Sequence, residues 1–339
     1  MSRSDLTTPF SIFIATIGRI ESRLKKAGRP RAFKDREVAN GLRGELFKLE
    51  GWAKIHRHWP DKKERKVFEQ IRFQAKALED VFGELDLAIE LAFELRAKGQ
   101  TDLVKIFDEQ AELSRQELKH RLKSQNWFKD EESEARIEKM RKQILGIDWP
   151  SPTVQFDFLI RSIGIDLHDL GTRYREELKP KLLKPVYDRK ILENDLHKFR
   201  RQLRWISMYF QTADGLIALA PTSDRLTAEK KKLIADYAKN PFAVLPVNKS
   251  PRIKIDTIAL YELTRLIELL GIVKDRAERY FHIRDVLIAL GENETKASER
   301  VRLLYGDAPT ETSFETQKIM TEYERLKPLS YLAQSLSAN

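Results

Sequence analysis

One basic helix carries the residues of this chain whose types and spacing are best suited to chemistry. Between Lys190 and Arg204 an apolar stripe is flanked by polar and cationic side chains. Four of these are separated by three, four or seven residues and therefore share one helix face: His197, Arg200, Arg201 and Arg204. Guanidinium groups match phosphate oxygens bidentately, and a bound polyanion would relieve the repulsion among like charges. The segment predicts an anion site, although a solvated basic face on an amphipathic helix explains the same spacing.

Positive charge is concentrated in two further segments, and a wholly acidic segment follows the second. Residues 19–36 contain eight Lys and Arg against two acids, and residues 61–76 contain six against three. Residues 77–95 contain six acids and no base. Such segregation either directs one sign of charge toward a groove or pairs neighbouring helices, and both explanations stay open. The net charge of +10 favours an anionic partner.

The chain lacks the motifs that common enzyme classes require. It has no cysteine, which excludes disulfides, thiolate metal sites and cysteine nucleophiles. It has no glycine-rich phosphate loop and no nucleophile-elbow serine. Asp86, Glu90 and Glu94 align along a helix, where a solvated or protein-binding acidic face is favoured over a cation site. The sequence leans against an enzyme and predicts no catalytic residue, metal or cofactor, with a metal-dependent phosphohydrolase kept as an alternative.

The elements that position these residues are helices throughout. Apolar residues recur every three or four positions from Leu192 to Phe210. The same period runs through five long stretches, at 63–98, 102–125, 132–146, 153–176 and 255–290. No stretch alternates apolar and polar residues as a half-buried strand requires. The pattern predicts an all-α protein.

Turn residues divide the chain into two halves. Trp149-Pro150-Ser151-Pro152 is the strongest break near the middle, so we predict helical bundles over 1–150 and 151–339 that form one composite domain. Gly28-Arg29-Pro30 predicts the end of the first helix, and Thr101 is expected to be the N-cap of a later one.

The sequence shows no targeting or membrane-spanning segment. A secretory signal is absent, and no run approaches the roughly 18 apolar residues that a transmembrane helix needs. The first helix, about residues 9–26, is amphipathic with a basic end, and a bundle helix is favoured over one lying on a membrane. The prediction is a soluble, cytoplasmic protein.

The two halves resemble distant repeats. Asn40-Gly-Leu-Arg43 in the first half corresponds to His197-Lys-Phe-Arg200 in the second. Each motif is followed by a long helical stretch interrupted by a glycine, Gly83 in the first half and Gly271 in the second. The shared order of these elements predicts two pseudo-repeated, antiparallel helical bundles.

Two of these motifs resemble those of the CHAD family, the conserved histidine α-helical domain. His197-x-x-Arg200-x-x-x-Arg204 is similar to the signature helix of that family. Leu270-Gly-Ile-Val-Lys274-Asp275 is similar to its Leu-Gly-x-x-Arg-Asp motif, with Lys in place of Arg. The resemblance implies two related helical bundles about a pseudo-two-fold axis, with a basic groove that binds inorganic polyphosphate.

The first half departs from the family pattern. Asn40 stands where the motif has His, Phe47 stands where a second Arg is expected, and Lys48 comes next. Gly83 is followed by Asp86 and Leu87 instead of an Arg-Asp pair. Half of the expected basic lining is therefore missing or displaced.

The resulting hypothesis is non-catalytic binding of a linear polyanion, with inorganic polyphosphate first, in a basic groove between the helical halves. The expected contacts are His197, Arg200, Arg201 and Arg204, with Arg43, Lys48 and Lys274 from equivalent elements and Arg265 as a further candidate. The arginines would clamp phosphates, and protonated His197 would donate a hydrogen bond. Nucleic acid stays open as a ligand because its charge density is similar. A helical scaffold that binds another protein through its acidic face is the remaining alternative.

Overall fold

The computed structural model describes most of the chain and divides it into two units. The described residues are 8–27, 36–127, 134–185, 188–213, 215–222, 226–240, 242–245 and 251–338, with only the backbone at 26–27 and 36–40. The predicted helix end at 28–30 lies outside them. An N-terminal unit, Met1–Ser162, and a C-terminal unit, Ile163–Asn339, each pack internally. The described residues are overwhelmingly helical, which confirms the all-α class.

The N-terminal unit is built around one long helix. Its helices are α1 (Pro9–Ala27), α2 (Arg36–Ile55), α3 (Lys62–Ala97), α4 (Thr101–Ser124), α5 (Arg136–Leu145) and the first part of α6 (Pro152–Arg173). The carboxylate of Asp61 starts α3 by accepting hydrogen bonds from the Lys63 and Glu64 amides. α3 packs against α2 and α4. The expected cap at Thr101 is wrong, since this residue already lies in α4 and no side chain caps the helix at Gln100.

The core of the N-terminal unit explains its first helix and holds a buried histidine. Phe13 and Ile17 of α1 are fully buried, so protein covers its apolar face. His56, in the turn after α2, has ring centroids of six aromatic side chains at 4.6 to 5.8 Å from its own, namely Phe13, Trp52, Trp59, Phe68, Trp149 and Phe158. Its Nδ1 donates to the Trp52 carbonyl oxygen at 2.7 Å. Burial among these uncharged rings lowers the pKa of His56 to about 4, against the opposing effect of that hydrogen bond.

The C-terminal unit is built around a second long helix. Its helices after α6 are α7 (Lys179–Leu182), α8 (Arg189–Ile191), α9 (His197–Thr212), α10 (Ala228–Tyr237), α11 (Thr257–Ala289), α12 (Glu294–Tyr305), α13 (Ala308–Leu326) and α14 (Pro328–Ser337). α11 packs against α9, α10, α12, α13 and α14. The rings of Tyr174, Phe199 and Tyr323 pack together on the buried side of α9.

Three local features of the chain add to the predicted pattern of helices. Two short parallel strands, β1 (Ile217–Leu219) and β2 (Ile253–Ile255), pair residue for residue, which corrects the expectation of no strands. One π-helical turn, Tyr174–Leu178, joins α6 to α7, and another, Leu192–Leu196, joins α8 to α9. The division between the units falls at Ser162 within α6, later than the turn at Trp149–Pro152, because the start of α6 packs on the N-terminal core.

Candidate functional site

α9 places the predicted basic residues directly after a π-helical turn. Asp188 caps the short preceding helix by accepting from the Ile191 amide at 2.7 Å. The π turn at Leu192–Leu196 then ends where His197 begins α9. Phe199 and Leu203 of α9 are fully buried, and this anchors the helix in the C-terminal core. Turns of this kind are frequent at functional sites, which makes the first residues of α9 candidates for one.

Arg200 packs directly against a glycine of α11. Its Nε donates to the Ile267 carbonyl oxygen at 3.1 Å. A Cβ added at Gly271 would lie 2.7 Å from Nη2 and 2.9 Å from Nε of Arg200, closer than real Cβ contacts allow. Glycine is therefore what permits this close approach. Among the described residues no carboxylate pairs with Arg200, so its positive charge is not neutralised within this part of the chain.

His197 is held by a chain of hydrogen bonds that leads into α11. Its Nδ1 donates to Glu278 Oε1 at 3.0 Å, and Glu278 Oε2 accepts from Lys274 Nζ at 2.5 Å. Burial opposes ionisation of the Glu278 carboxyl, but the hydrogen bonds and charges of His197 and Lys274 outweigh it and lower its pKa to about 2. The orientation fixes His197 with Nδ1 toward the protein, so an external anion would use Nε2. We call His197, Arg200, Gly271, Lys274 and Glu278 the Arg200 site.

Lys274 does not lie where the sequence led us to expect. Only 8% of its side chain is exposed, and Nζ pairs with Asp275 at 2.7 Å as well as with Glu278. The family-like motif therefore places this cation inside the protein, where it positions Glu278. As a direct contact for an external anion, Lys274 is a poor candidate.

Arg43 in the N-terminal unit makes the same approach to a glycine but is neutralised. Its guanidinium donates to Glu79 Oε1 at 2.8 and 3.0 Å and to Asp86 Oδ2 at 2.5 Å. A Cβ at Gly83 would lie 3.3 Å from its Nη2. The same guanidinium lies over the Phe47 ring, 5.6 Å from the centroid. We call Arg43, Phe47, Glu79, Gly83 and Asp86 the Arg43 cluster.

The remaining candidate cations have partners within the chain. Lys48 pairs with Glu45 at 3.4 Å. Arg265 pairs with Glu262 at 2.9 Å and Glu322 at 2.8 Å, and these carboxylates raise its pKa against the effect of burial. Arg201 and Arg204 are half-buried on α9, and each has an interaction within the chain. The Asn40 side chain lies outside the described residues.

Three features of the Arg200 site and the Arg43 cluster were missed by sequence reasoning. Glu278 follows Lys274 by four residues, and this helical ion-pair spacing is visible in the sequence. Glu79 precedes Gly83 by four residues and pairs with Arg43, which depends on how α2 and α3 pack. The π turn before His197 left no signal, because the apolar spacing continues through it.

Metal-binding and membrane-spanning features are absent from the described residues. In this part of the chain no three His, Asp or Glu side chains are grouped as metal ligands would be. Across the same residues no helix combines the length and apolar character needed to cross a membrane.

Comparison of the chain with protein-family models, with curated proteins and with solved structures returned no match. The function proposed for this chain therefore rests on the geometry of the Arg200 site and of the Arg43 cluster.

Proposed function

We propose that the Arg200 site binds a linear polyanion without catalysis, and that inorganic polyphosphate is the first candidate ligand. The observation that carries the proposal is the state of Arg200 itself. It is held in place by the Ile267 carbonyl oxygen and the Gly271 backbone, yet it has no carboxylate partner among the described residues. A fixed guanidinium with unused donors is suited to phosphate oxygens.

The surroundings of Arg200 favour an extended anion over a single phosphate. From Arg189 to Arg204 the chain carries six Lys and Arg against two acids. Arg189 is committed to Glu193 and Asp285, whereas Lys190 and Lys198 are exposed. Successive cations from α8 to α9 match the repeating charge of a polyphosphate chain, and such binding weakens as salt rises. His197 would contribute through Nε2 once it is protonated.

The resemblance of His197-x-x-Arg200-x-x-x-Arg204 to the CHAD signature helix supports the same ligand class. The proposal differs from the family expectation in two ways. Lys274 supports Glu278 from inside the protein, and Arg43 is occupied by Glu79 and Asp86. The anion site is therefore assigned to the C-terminal unit alone.

The experiment measures binding of inorganic polyphosphate and of single-stranded RNA at two salt concentrations. The test variant is His197→Ala/Arg200→Ala/Arg204→Ala. The matched control is Lys230→Ala/Lys231→Ala, which likewise removes two permanent cations, both exposed on α10. We expect the test variant to lose polyphosphate affinity by at least roughly tenfold and the control to keep it.

Two outcomes would overturn this assignment. Equal losses in the test and control variants would show that net charge, and no defined site, attracts the anion. Tighter binding of RNA than of polyphosphate, lost in the test variant, would replace polyphosphate with nucleic acid as the ligand.

A further inference from the structure

A groove in the N-terminal unit has the composition of a second, different ligand site. It lies between the end of α2 and the first half of α3 and has a volume of about 600 Å³. Four of its lining positions on α3, at 66, 69, 70 and 73, are spaced so that they form one face of the helix. Arg57, in the turn after α2, lines it from the other side. This volume is within the range of small-molecule sites.

The charge of the groove favours an anion. Its lining includes three cations, Arg57, Lys66 and Arg72, and one carboxylate, Glu69. Arg57 Nε donates to His58 Nε2 at 3.2 Å. Within the described residues neither Lys66 nor Arg72 pairs with a carboxylate. One turn further along the same helix, outside the groove, Lys76 pairs with Asp80.

An exposed aromatic ring distinguishes this groove from a simple phosphate site. Phe73 lines it with 74% of its surface accessible. Inorganic phosphate has no group that would benefit from such a ring, whereas a nucleobase stacks on it. The amide of Gln70, on the same helix face, supplies both a donor and an acceptor for a base edge. Cations beside an exposed aromatic ring are the combination that single-stranded nucleic acids and nucleotides use.

We propose that this groove, called the α3 groove, binds a nucleoside phosphate whose base stacks on Phe73 and whose phosphate is held by Arg57, Lys66 and Arg72. The ligand is either a free nucleotide or one nucleotide of a single-stranded RNA. The proposal does not rest on polyphosphate binding by the C-terminal unit, because no residue is shared between the two sites.

The test measures binding of ADP, of inorganic pyrophosphate and of a short fluorescent oligoadenylate to the full chain. We expect ADP to bind more tightly than pyrophosphate, because only ADP offers a base to Phe73. If ADP displaces the oligoadenylate, the groove accepts both. If the oligoadenylate binds and ADP does not, the ligand is RNA, and if ADP alone binds, it is a free nucleotide.

The chain offers a closely matched control for the stacking residue. Phe73 and Phe93 both lie on α3 and are both 74% exposed, but Phe93 is not part of the groove. We expect Phe73→Ala to lower the affinity for ADP by roughly tenfold, which is in the range for one stacked base. Phe93→Ala should leave the affinity for ADP unchanged. Equal effects of the two variants would overturn the proposal, as would pyrophosphate binding as tightly as ADP.

A charge control completes the test and separates the two proposals. Lys66→Ala/Arg72→Ala is expected to weaken the binding of both ADP and oligoadenylate. The control Lys105→Ala/Lys119→Ala, at exposed positions of α4, is expected to leave the binding of both ligands unchanged. The Phe73→Ala variant is expected to keep its polyphosphate affinity. Loss of oligoadenylate binding in Arg200→Ala, with no loss in Phe73→Ala, would place the nucleic acid at the Arg200 site and contradict this inference.

Discussion

Arg43 and Arg200 pack in the same manner in the two units but end in different electrostatic states. Each reaches from a shorter helix onto a glycine of a long helix, Gly83 in α3 and Gly271 in α11. Arg43 is ion-paired with two carboxylates, whereas Arg200 donates a hydrogen bond to a backbone carbonyl oxygen. The close approach to glycine is thus a structural device, and it does not by itself create an anion site.

Two positions around each glycine decide which state results. Four residues before the glycine stands Glu79 in one unit and Ile267 in the other, and three residues after it stands Asp86 or Lys274. The two acids neutralise Arg43. Ile267 accepts a hydrogen bond from Arg200 through its carbonyl oxygen, and Lys274 pairs with Glu278. Because both acids are absent from these positions around Gly271, Arg200 has no carboxylate partner among the described residues, whereas Arg43 is ion-paired.

The largest expected effect is on stability and concerns Arg43. Arg43→Met leaves the buried Glu79 carboxylate without its cation, so the free energy of unfolding should fall by about 3 kcal/mol. Arg200→Met removes no buried counter-ion and should cost less than about 1 kcal/mol. Urea unfolding of both variants measures this difference. Equal losses would show that Arg200 is as much a structural residue as Arg43.

Acid should weaken the N-terminal unit through His56. The folded pKa is about 4, below the ordinary value of 6.5, so the unfolded chain binds the proton more readily. The contribution of neutral His56 to the free energy of unfolding is fully present above the ordinary histidine pKa. It is lost as the pH drops toward 4, and about 2 kcal/mol is lost by about pH 5. Urea unfolding followed by tryptophan fluorescence at about pH 7 and about pH 5 measures this loss.

The fluorescence signal and two variants make the His56 prediction specific. Four of the five tryptophans, Trp52, Trp59, Trp127 and Trp149, lie in the N-terminal unit. In His56→Phe the loss between the two pH values should disappear, whereas His58→Gln, which replaces a less buried histidine of the same turn, should retain it. A loss that persists in His56→Phe would assign the acid sensitivity to another group.

A smaller effect at lower pH is expected in the C-terminal unit. The pKa of Glu278 is lowered to about 2, so its contribution is present above the ordinary value of 4.5 and is lost as the pH falls toward 2. Glu278→Gln should cost about 1 to 2 kcal/mol at neutral pH, since Lys274 keeps Asp275 as a partner. The difference from the native chain should shrink by about pH 3. A pH-independent difference would mean that the charge of Glu278 is not what matters.

The smallest expected effect on stability comes from the glycines. Gly271→Ala should change the free energy of unfolding by less than about 1 kcal/mol, because alanine favours the helix and Arg200 is a flexible side chain that can move. It should nevertheless weaken polyphosphate binding, because the added methyl group displaces the Arg200 guanidinium from its position against Gly271. Gly83→Ala, with a looser contact of 3.3 Å, is the matched control and should leave binding unchanged. Unchanged polyphosphate binding in Gly271→Ala would show that the packing of Arg200 against Gly271 is not needed for binding.

Local patterns predicted the helices well but could not predict which charges meet. The stretches 63–98 and 255–290 became α3 (Lys62–Ala97) and α11 (Thr257–Ala289), because apolar periodicity is a local property. The strands were missed because three residues are too short to alternate. The basic face of α9 was predicted, but whether Arg43 or Arg200 finds a carboxylate depends on the register of packed helices, which spacing along one helix does not contain.

The difference between the two arginines is tested most directly by polyphosphate affinity in Arg200→Gln and Arg43→Gln, each measured where urea curves show the variant folded. Each substitution removes one guanidinium group that packs against a glycine of a long helix. We predict that Arg200→Gln weakens polyphosphate binding by roughly tenfold or more, while Arg43→Gln changes it by less than about twofold. Equal weakening in the two variants, or weakening in Arg43→Gln alone, would contradict the assignment of the anion site to Arg200.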